Sequence, residues 1–188
     1  MLKLFETERL NAFVVDEGVA RQLLAYEREN RECFSQFSPQ RNDSYYTLAN
    51  FQYHCEKQTF FYKQKRKLPL VFSRKEGSAI VAQVYLSEII YGASYSAKLG
   101  YSTSVKWQRQ GIGTEAVESV GEYAFKKLKL HRLEATIMTK NHASLAFAAS
   151  LGFVQEGMSR EYLLFNGKWE DYYQLALLNE QHPLGRKS

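Results

Sequence analysis

The stretch of sequence best suited to chemistry is a basic, glycine-containing segment from Leu99 to Thr114. It begins like a strand and ends with two glycines, Gly111 and Gly113, where a helical pattern starts. Glycine lets the backbone approach a ligand closely, and the free N–H groups of a helix's first turn bind phosphate. Lys106 and Arg109 add positive charge beside these glycines. The segment therefore predicts a pyrophosphate cradle.

Chemistry alone leaves two kinds of ligand for this cradle. The hexapeptide from Gly111 to Ala116 also satisfies the G-x-G-x-x-A form of the dinucleotide-binding fingerprint, with Glu134 at a suitable distance downstream. In that fold, however, the strand runs directly into the first glycine, whereas several polar residues intervene here. The segments before the cradle also follow an antiparallel pattern, and Glu134 falls inside a predicted strand. The sequence thus disfavours a dinucleotide site.

Further motifs in the sequence distinguish between these two kinds of ligand. They are Leu99-Gly100-Tyr101 at a strand end, Gln108-Arg109-Gln110-Gly111-Ile112-Gly113, His131-Arg132-Leu133-Glu134-Ala135, Asn141-x-x-Ser144, Leu151-Gly152-Phe153-x-x-Glu156-Gly157 and Asn166-Gly167-x-x-x-Asp171. The second motif matches the Q/R-x-x-G-x-G/A signature of the GNAT acetyltransferases. Together the motifs resemble the RimJ/RimL subgroup, the ribosomal-protein-alanine and ribosomal-protein-serine N-acetyltransferases. The resemblance begins at Thr7-Glu8-Arg9-Leu10, extends to about Leu177, and is thin across the two N-terminal helices.

The resemblance implies a cosubstrate, acetyl-CoA, and a set of residues that bind it. The pyrophosphate would lie on the cradle, the pantetheine arm beside Val105 and Asn141, and the sulfur near Ser144. The implied cofactor-binding residues are Val105, Gln108, Arg109, Gln110, Gly111, Ile112, Gly113, Thr114, Asn141 and Ser144. Asn141 is equally suited to cap a helix, and Ser144 to be an ordinary polar residue of its first turn. No metal is expected.

Acetyl transfer needs a neutral amine, donors for the oxyanion, and a path for the thiolate to leave. A thiol pKa of about 8.5 means that an acid for the leaving group helps without being obligatory. Ser144 is a candidate for that weak acid. Backbone N–H groups near residues 103–105 are the candidates for the oxyanion, as the fold implies.

The general base is the hardest residue to assign. In one branch of the subgroup a glutamate occupies the position of Leu163 in this chain, so the pattern departs there. Glu161 lies two residues earlier, and residues two apart in a strand share a face. We expect Glu161 to be buried and to act as the base, with Glu88 and Tyr101 as alternatives. A solvated carboxylate on the strand is the competing interpretation of Glu161.

These residues must be positioned by a sheet and its helices. Hydrophobic alternation predicts strands over 7–15, 70–72, 80–86, 97–102, 132–137, 154–165 and 168–177, and helical periodicity predicts helices over 16–30, 44–65, 113–128 and 141–151. Asn166-Gly167 between two strand-like runs predicts a hairpin. We expect an α/β GNAT fold: a mixed, mostly antiparallel sheet of six to seven strands, flanked by about four helices and splayed at its central parallel pair.

Composition sets the class of protein. The 188 residues, 45% of them apolar, suit one domain, so we expect a single acetyltransferase domain over 1–188. No run approaches the roughly 18 apolar residues of a membrane span, and charge near Met1 argues against a signal peptide. A cytoplasmic protein without a membrane partner follows. Cys33 and Cys55 lack the spacing of a zinc site and are expected to be reduced thiols.

The net charge of +5 favours an anionic ligand or partner. The basic clusters 63–67 and 126–129 each lie near a predicted helix C-terminus, where the helix dipole favours cations. The leading hypothesis is acetylation of a primary amine, above all the N-terminus of a ribosomal or other protein, with nucleic acid met only through the ribosome. A polyamine, aminoglycoside or amino-acid-like acceptor is the first alternative, and a basic RNA- or ribosome-binding module the second. The oligomeric state stays open, a homodimer included.

Overall fold

The computed structural model describes residues 1–181, which form one eight-stranded sheet in the order β1-β2-β3-β4-β5-β6-β8-β7. The strands are β1 Leu2–Glu6, β2 Leu10–Val14, β3 Leu68–Arg74, β4 Ile80–Ile90, β5 Ser96–Thr103, β6 Arg132–Met138, β7 Val154–Phe165 and β8 Lys168–Leu178. The helices are α1 Ala20–Glu29, α2 Arg31–Phe34, α3 Leu48–Lys63, α4 Ile112–Lys126 and α5 His142–Ser150. Single 3₁₀ turns lie at Glu17–Val19, Asp43–Tyr45 and Val105–Trp107.

Strand pairing is antiparallel throughout the described sheet except between β5 and β6, which are parallel and joined through α4. The predicted α/β fold, with its mixed sheet and central parallel pair, is therefore confirmed. The sheet is larger than the expected six to seven strands because β1 pairs with β2 at the edge. This strand is only five residues long, and its partly buried Leu4 and Phe5 give too short a pattern to predict a strand.

The helices cover the two faces of the sheet. On one face α4 packs Val117 and Val120 against Val84 and Leu133 in the larger core cluster. On the other face α1 and α3 form a second cluster, in which Leu23, Phe51 and Cys55 pack against Val71. Burial raises the pKa of the Cys55 thiol to about 12, so this cysteine is an inert part of the core.

Local signals in the sequence explain where several elements begin and end. The Asp16 carboxylate accepts a hydrogen bond from the Gly18 N–H at 2.8 Å and caps the turn that leads into α1. Asn166 and Gly167 both have positive φ, 48° and 81°, which is the geometry of a tight hairpin turn between β7 and β8. Gly152, with a φ of 86°, ends α5.

Candidate active site

The sheet opens at its parallel pair. Strands β5 and β6 are paired only from Ser96 with Arg132 to Lys98 with Glu134. Beyond that point β5 continues to Thr103 beside β4, and β6 continues to Met138 beside β8. The last residues of β5 and β6 are therefore not paired with each other, and a gap separates the two strands. The backbone N–H and C=O groups along its edges can hydrogen-bond an extended ligand that contains amides.

The start of α4 lies beside this gap and has the features of an anion site. Gly111 is the N-cap residue with a φ of 76°, and no side chain caps the helix. The N–H groups of the first turn are thus left to a ligand. At Gly113 an added Cβ would lie 2.7 Å from Thr103 Oγ1, so only glycine lets α4 approach the end of β5 this closely. These observations fit a bound pyrophosphate.

The cradle is held from behind by the N-terminal motif. Arg9 donates from its backbone N–H and its Nε to the two carboxylate oxygens of Glu115, at 2.8 and 2.5 Å, and Thr7 Oγ1 donates to the same carboxylate. Arg9 Nη1 also donates to the carbonyl of Gln110 at 2.9 Å. Burial by itself raises the pKa of Glu115, but the hydrogen bonds from Thr7 and Arg9 outweigh it and hold that pKa below its usual range. Thr7-Glu8-Arg9-Leu10 therefore braces the cradle.

The predicted cofactor-binding residues divide into two groups. A cleft of about 1100 Å³ runs through the gap, and the members of the predicted set that line it are Gln108, Arg109, Gly111, Gly113, Thr114, Asn141 and Ser144. The side chains of Val105, Gln110 and Ile112 do not line it: Val105 is exposed, Ile112 is in the core, and Gln110 Nε2 donates to the Lys106 carbonyl. These three residues can contact a ligand in the cleft only through their backbone atoms.

At the α5 end of the cleft, three predicted residues lie together. Asn141 Oδ1 accepts the Ser144 N–H at 3.1 Å and caps α5, and its amide nitrogen remains available as a donor to a ligand. Tyr101 Oη lies 2.8 Å from Ser144 Oγ, and its ring packs edge-on against Phe147. Burial raises the pKa of Tyr101, partly opposed by the hydrogen bond with Ser144, so its hydroxyl stays protonated at neutral pH. The pair can supply a proton.

The expected oxyanion donors are largely engaged elsewhere. The Ser104 N–H donates to the Val81 carbonyl at 2.9 Å, and the Val105 N–H donates to Asn30 Oδ1 at 2.8 Å. The expectation that N–H groups of residues 103–105 face the thioester is therefore wrong for Ser104 and Val105. The unpaired edge of β5 before Ser104 is where such donors remain.

The prediction that Glu161 is buried is also wrong. Glu161 is exposed and does not line the cleft, and its N–H donates to Asp171 Oδ1 at 2.8 Å. Its φ of 49° lies within a register shift between Ser159 and Leu163. A bulge of this kind interrupts the alternation of faces, so the parity argument that linked Glu161 to Leu163 does not hold.

Two other acidic residues considered from the sequence lie in ion pairs. Glu88 sits at an irregularity of β4, with a φ of 49°, and pairs with Lys98 at 2.8 Å. Glu134 lies within β6 and accepts from Arg132 Nε at 2.7 Å. Neither lines the cleft. The antiparallel run from β1 to β5 and the position of Glu134 are incompatible with the dinucleotide-binding fold.

The cleft also contains an acidic residue that none of the sequence motifs indicates. Glu27 of α1 is half-buried in the cleft wall, where its Oε1 accepts a hydrogen bond from Gln83 Nε2 of β4 at 2.9 Å. Burial raises the pKa of Glu27, opposed by the hydrogen bond from Gln83 and the charge of Arg41. The sequence does contain an indication of this position. Glu27 follows the buried Leu23 by one helical turn, so both side chains lie on the side of α1 that faces the sheet.

Neither a metal site nor a membrane span is found in the described part of the chain. Over residues 1–181, no three His, Cys, Asp or Glu side chains are grouped so as to hold a metal ion. No helix in that range is both long enough and apolar enough to cross a bilayer.

Comparison with known proteins identifies similar chains along almost the full length. The sequence model of the acetyltransferase (GNAT) domain matches residues 16–154. The probable N-acetyltransferase YjcK of Bacillus subtilis is 36% identical over 85% of this chain and 88% of its own. The [ribosomal protein uS5]-alanine N-acetyltransferase of Escherichia coli is 29% identical over 96% of this chain and 93% of its own.

A solved structure extends the similarity to three dimensions. Mycobacterium smegmatis RimJ, determined in complex with CoA-disulfide, superposes with a TM-score of 0.85 at 25% identity, covering 93% of this chain and 84% of that one. The cleft and the start of α4 thus belong to a fold that holds coenzyme A in a structural relative.

Proposed function

Because the chain belongs to the GNAT acetyltransferase family, and is thus an acetyl-CoA-dependent N-acetyltransferase, we propose that its acceptor is the N-terminal α-amine of a protein. A ribosomal protein is the first candidate, since the similar Escherichia coli enzyme is named for alanine of ribosomal protein uS5. Such a substrate places the reaction in the cytoplasm and brings nucleic acid near only through the ribosome. We also propose that residues 1–188 form one acetyltransferase domain.

The observation that carries the cosubstrate assignment is the continuity of the cleft with the uncapped start of α4. The same cleft is lined by Gly111 and Gly113 at one end and by Tyr101 and Ser144 further along. A pyrophosphate on the first turn of α4 would direct an extended arm into the gap between β5 and β6. The thioester at the end of that arm would then lie near the two hydroxyls.

We assign the steps to residues as follows. The first turn of α4 binds phosphate, and the amide nitrogen of Asn141 is free to hydrogen-bond the pantetheine arm. The backbone edge of β5 opposite β6 stabilises the oxyanion. Tyr101, whose hydroxyl is 2.8 Å from Ser144 Oγ, donates a proton to the departing thiolate, directly or through Ser144. Neither hydroxyl needs to ionise beforehand.

The α-amine is favoured over a lysine side chain on energetic grounds. At pH 7.5 an α-amine with a pKa of about 7.7 to 8.0 is already about one-third neutral, whereas a lysine near 10.4 is neutral in about one part in a thousand. Among the described residues, the cleft contains one carboxylate, Glu27, and no histidine. A site with so few basic groups suits an amine that loses its proton readily.

The test is release of free thiol from acetyl-CoA with a panel of acceptors at matched concentrations. The panel contains peptides with free N-terminal Ala or Ser, N-blocked peptides with one lysine, spermidine, an aminoglycoside and free amino acids. We expect the free N-terminal peptides to give the highest kcat/KM. A higher value for a polyamine, an aminoglycoside or a lysine side chain would reject the proposed acceptor.

A further inference from the structure

The side of the cleft formed by α1 and β4 contains a carboxylate that the steps above do not use. Glu27 is held there by Gln83, the cross-strand partner of Ser102 in β5. A second contact, between Tyr26 Oη and Ser102 Oγ at 2.9 Å, fixes α1 to the same pair of strands. Glu27 is therefore held beside Ser102, which lies in the part of β5 that is not paired with β6.

Glu27 and the two hydroxyls approach the gap from opposite faces of the sheet. Tyr101 is the cross-strand partner of Val84, and the Val84 side chain lies in the core on the α4 face of the sheet. The neighbouring pair, Gln83 and Ser102, points to the opposite face, where α1 lies. All four of Glu27, Gln83, Tyr101 and Ser144 nevertheless line one continuous cleft. An acceptor entering from the α1 side thus meets Glu27 before it reaches the thioester position.

On the face of the sheet that carries α1, the cleft is also shaped by a close contact between a side chain of β4 and the backbone of β5. A Cβ at Gly100 would lie 2.1 Å from the ring of Tyr85, so this glycine lets the Tyr85 ring lie directly over β5. Tyr45 and Tyr46, from the segment between α2 and α3, line the same region. A cleft wall that combines a carboxylate with aromatic rings is a suitable environment for an ammonium group.

The Glu27 carboxylate can accept a further hydrogen bond. Oε1 accepts from Gln83, but within residues 1–181 no hydrogen bond or ion pair engages Oε2. The titratable groups that face Glu27 are Tyr26 on its own helix and Arg41 and Tyr45 from the α2–α3 connection. Burial raises the pKa of Glu27, opposed by Gln83 and then Arg41, which moves it towards the pKa of an α-amine.

We propose that Glu27 binds the ammonium group of the acceptor and accepts its proton, acting as the general base of the reaction. This rests on the proposed function only in that the acceptor is an amine. One proton moves from the ammonium to Glu27 Oε2, which leaves the nitrogen lone pair free to attack. The C–N bond forms, the C–S bond breaks, and the thiolate takes a proton from Tyr101 or Ser144. The attacking nitrogen then loses its surplus proton to that hydroxyl, which restores it and leaves the neutral amide, and Glu27 returns its proton to water.

The test compares Glu27→Gln with Glu32→Gln, an exposed carboxylate on α2 that does not line the cleft. General bases contribute about 10²- to 10⁴-fold, so we expect kcat/KM of Glu27→Gln at pH 7 to fall about 100-fold. The difference in kcat/KM between Glu27→Gln and the parent enzyme should shrink as the pH rises above the pKa of the amine, because the acceptor then binds in its neutral form. Glu32→Gln should match the parent enzyme throughout.

A second variant distinguishes proton transfer from a structural role. Gln83→Met removes the hydrogen bond that stabilises the ionised carboxylate, so it should raise the pKa of Glu27 and move the acid limb of kcat/KM to higher pH. The assays use whichever acceptor the parent enzyme acetylates, so rejection of a peptide substrate does not affect them. An unchanged rate and acid limb in Glu27→Gln, with CoA affinity by calorimetry equal to that of the parent, would overturn the inference.

Discussion

Arg9 and Glu115 are 106 positions apart in the sequence, yet Arg9 contacts both carboxylate oxygens of Glu115 and the carbonyl of Gln110. The contact joins the loop before β2 to the first turn of α4. It explains why an N-terminal motif accompanies a cradle encoded a hundred residues later. Arg9 positions the phosphate-binding backbone without needing to touch the ligand itself.

The first prediction concerns this brace. The Arg9 side chain is 46% exposed, so its ion pair contributes modestly, and Arg9→Gln should weaken CoA binding about three- to tenfold with little change in kcat. Calorimetry with CoA measures the affinity, and Arg21→Gln on the exposed side of α1 is the control. If Arg9→Gln and Glu115→Gln weaken binding additively in the double variant, the two residues do not act as one unit.

The second prediction is a pH dependence of stability. The pKa of Glu115 is lowered in the folded protein, so its contribution is present above the unfolded value of about 4.3 and is lost as the pH falls through the folded pKa. The difference in unfolding free energy between the parent and Glu115→Gln should be constant from pH 7 to about 5 and shrink at lower pH. Urea denaturation from pH 3 to 7 measures it, with the exposed Glu118→Gln as control. A difference that grows with acidity would contradict the assignment.

The third prediction tests the cradle at Thr114, the third residue of α4. Gly113 is unsuitable, since a Cβ there would collide with Thr103. An acidic residue in a helix's first turn is favourable for the helix itself, so Thr114→Glu should fold normally. Its carboxylate should repel the phosphates, at a cost on the order of 1 to 4 kcal/mol, and so weaken CoA binding by about five- to a thousandfold. Thr114→Gln, similar in size and neutral, should bind nearly normally. Equal affinity in the two variants would place the pyrophosphate elsewhere.

The fourth prediction concerns the two hydroxyls near the expected sulfur. Tyr101→Phe keeps the ring contact with Phe147 and removes only the hydroxyl. Because a thiolate with a pKa of about 8.5 can leave unaided, we expect a modest fall in kcat, about tenfold, with an unchanged KM for acetyl-CoA. Tyr91→Phe, exposed and outside the cleft, is the matched control. A Tyr101→Phe enzyme with normal kcat, alone and combined with Ser144→Ala, would remove the pair from the mechanism.

The helix start with its two glycines could be predicted because its signals are local. Glycines, a helix start and basic residues lie together within the segment 108–114, so the pattern can be read without reference to distant residues, although Arg9 supports this backbone from far away in the sequence. The motif around Asn141 and Ser144 is equally compact. The main strands and helices were predictable for the same reason, since their periodicity is contained in each segment.

The residues that depend on long-range packing could not be predicted in the same way. Alternation of faces places Glu161 with Leu163 only in a regular strand, and here a bulge without any sequence signal puts the Glu161 side chain at the surface. Glu27 becomes a cleft residue only once α1 lies on β4 and Gln83 reaches it. The engagement of the Val105 N–H by Asn30, 75 positions earlier, is likewise a product of tertiary structure.

The most direct measurement of the central claim is tandem mass spectrometry of one peptide that carries both kinds of amine. A peptide with a free N-terminal alanine and one internal lysine is incubated with acetyl-CoA and the enzyme at pH 7.5, under conditions of partial conversion. We predict that the mass increase of about 42 daltons that acetylation causes is found on the N-terminal fragment ions and not on lysine. Acetyl-lysine as the main product, or no acetylated peptide while a small amine in the same tube is acetylated, would contradict it.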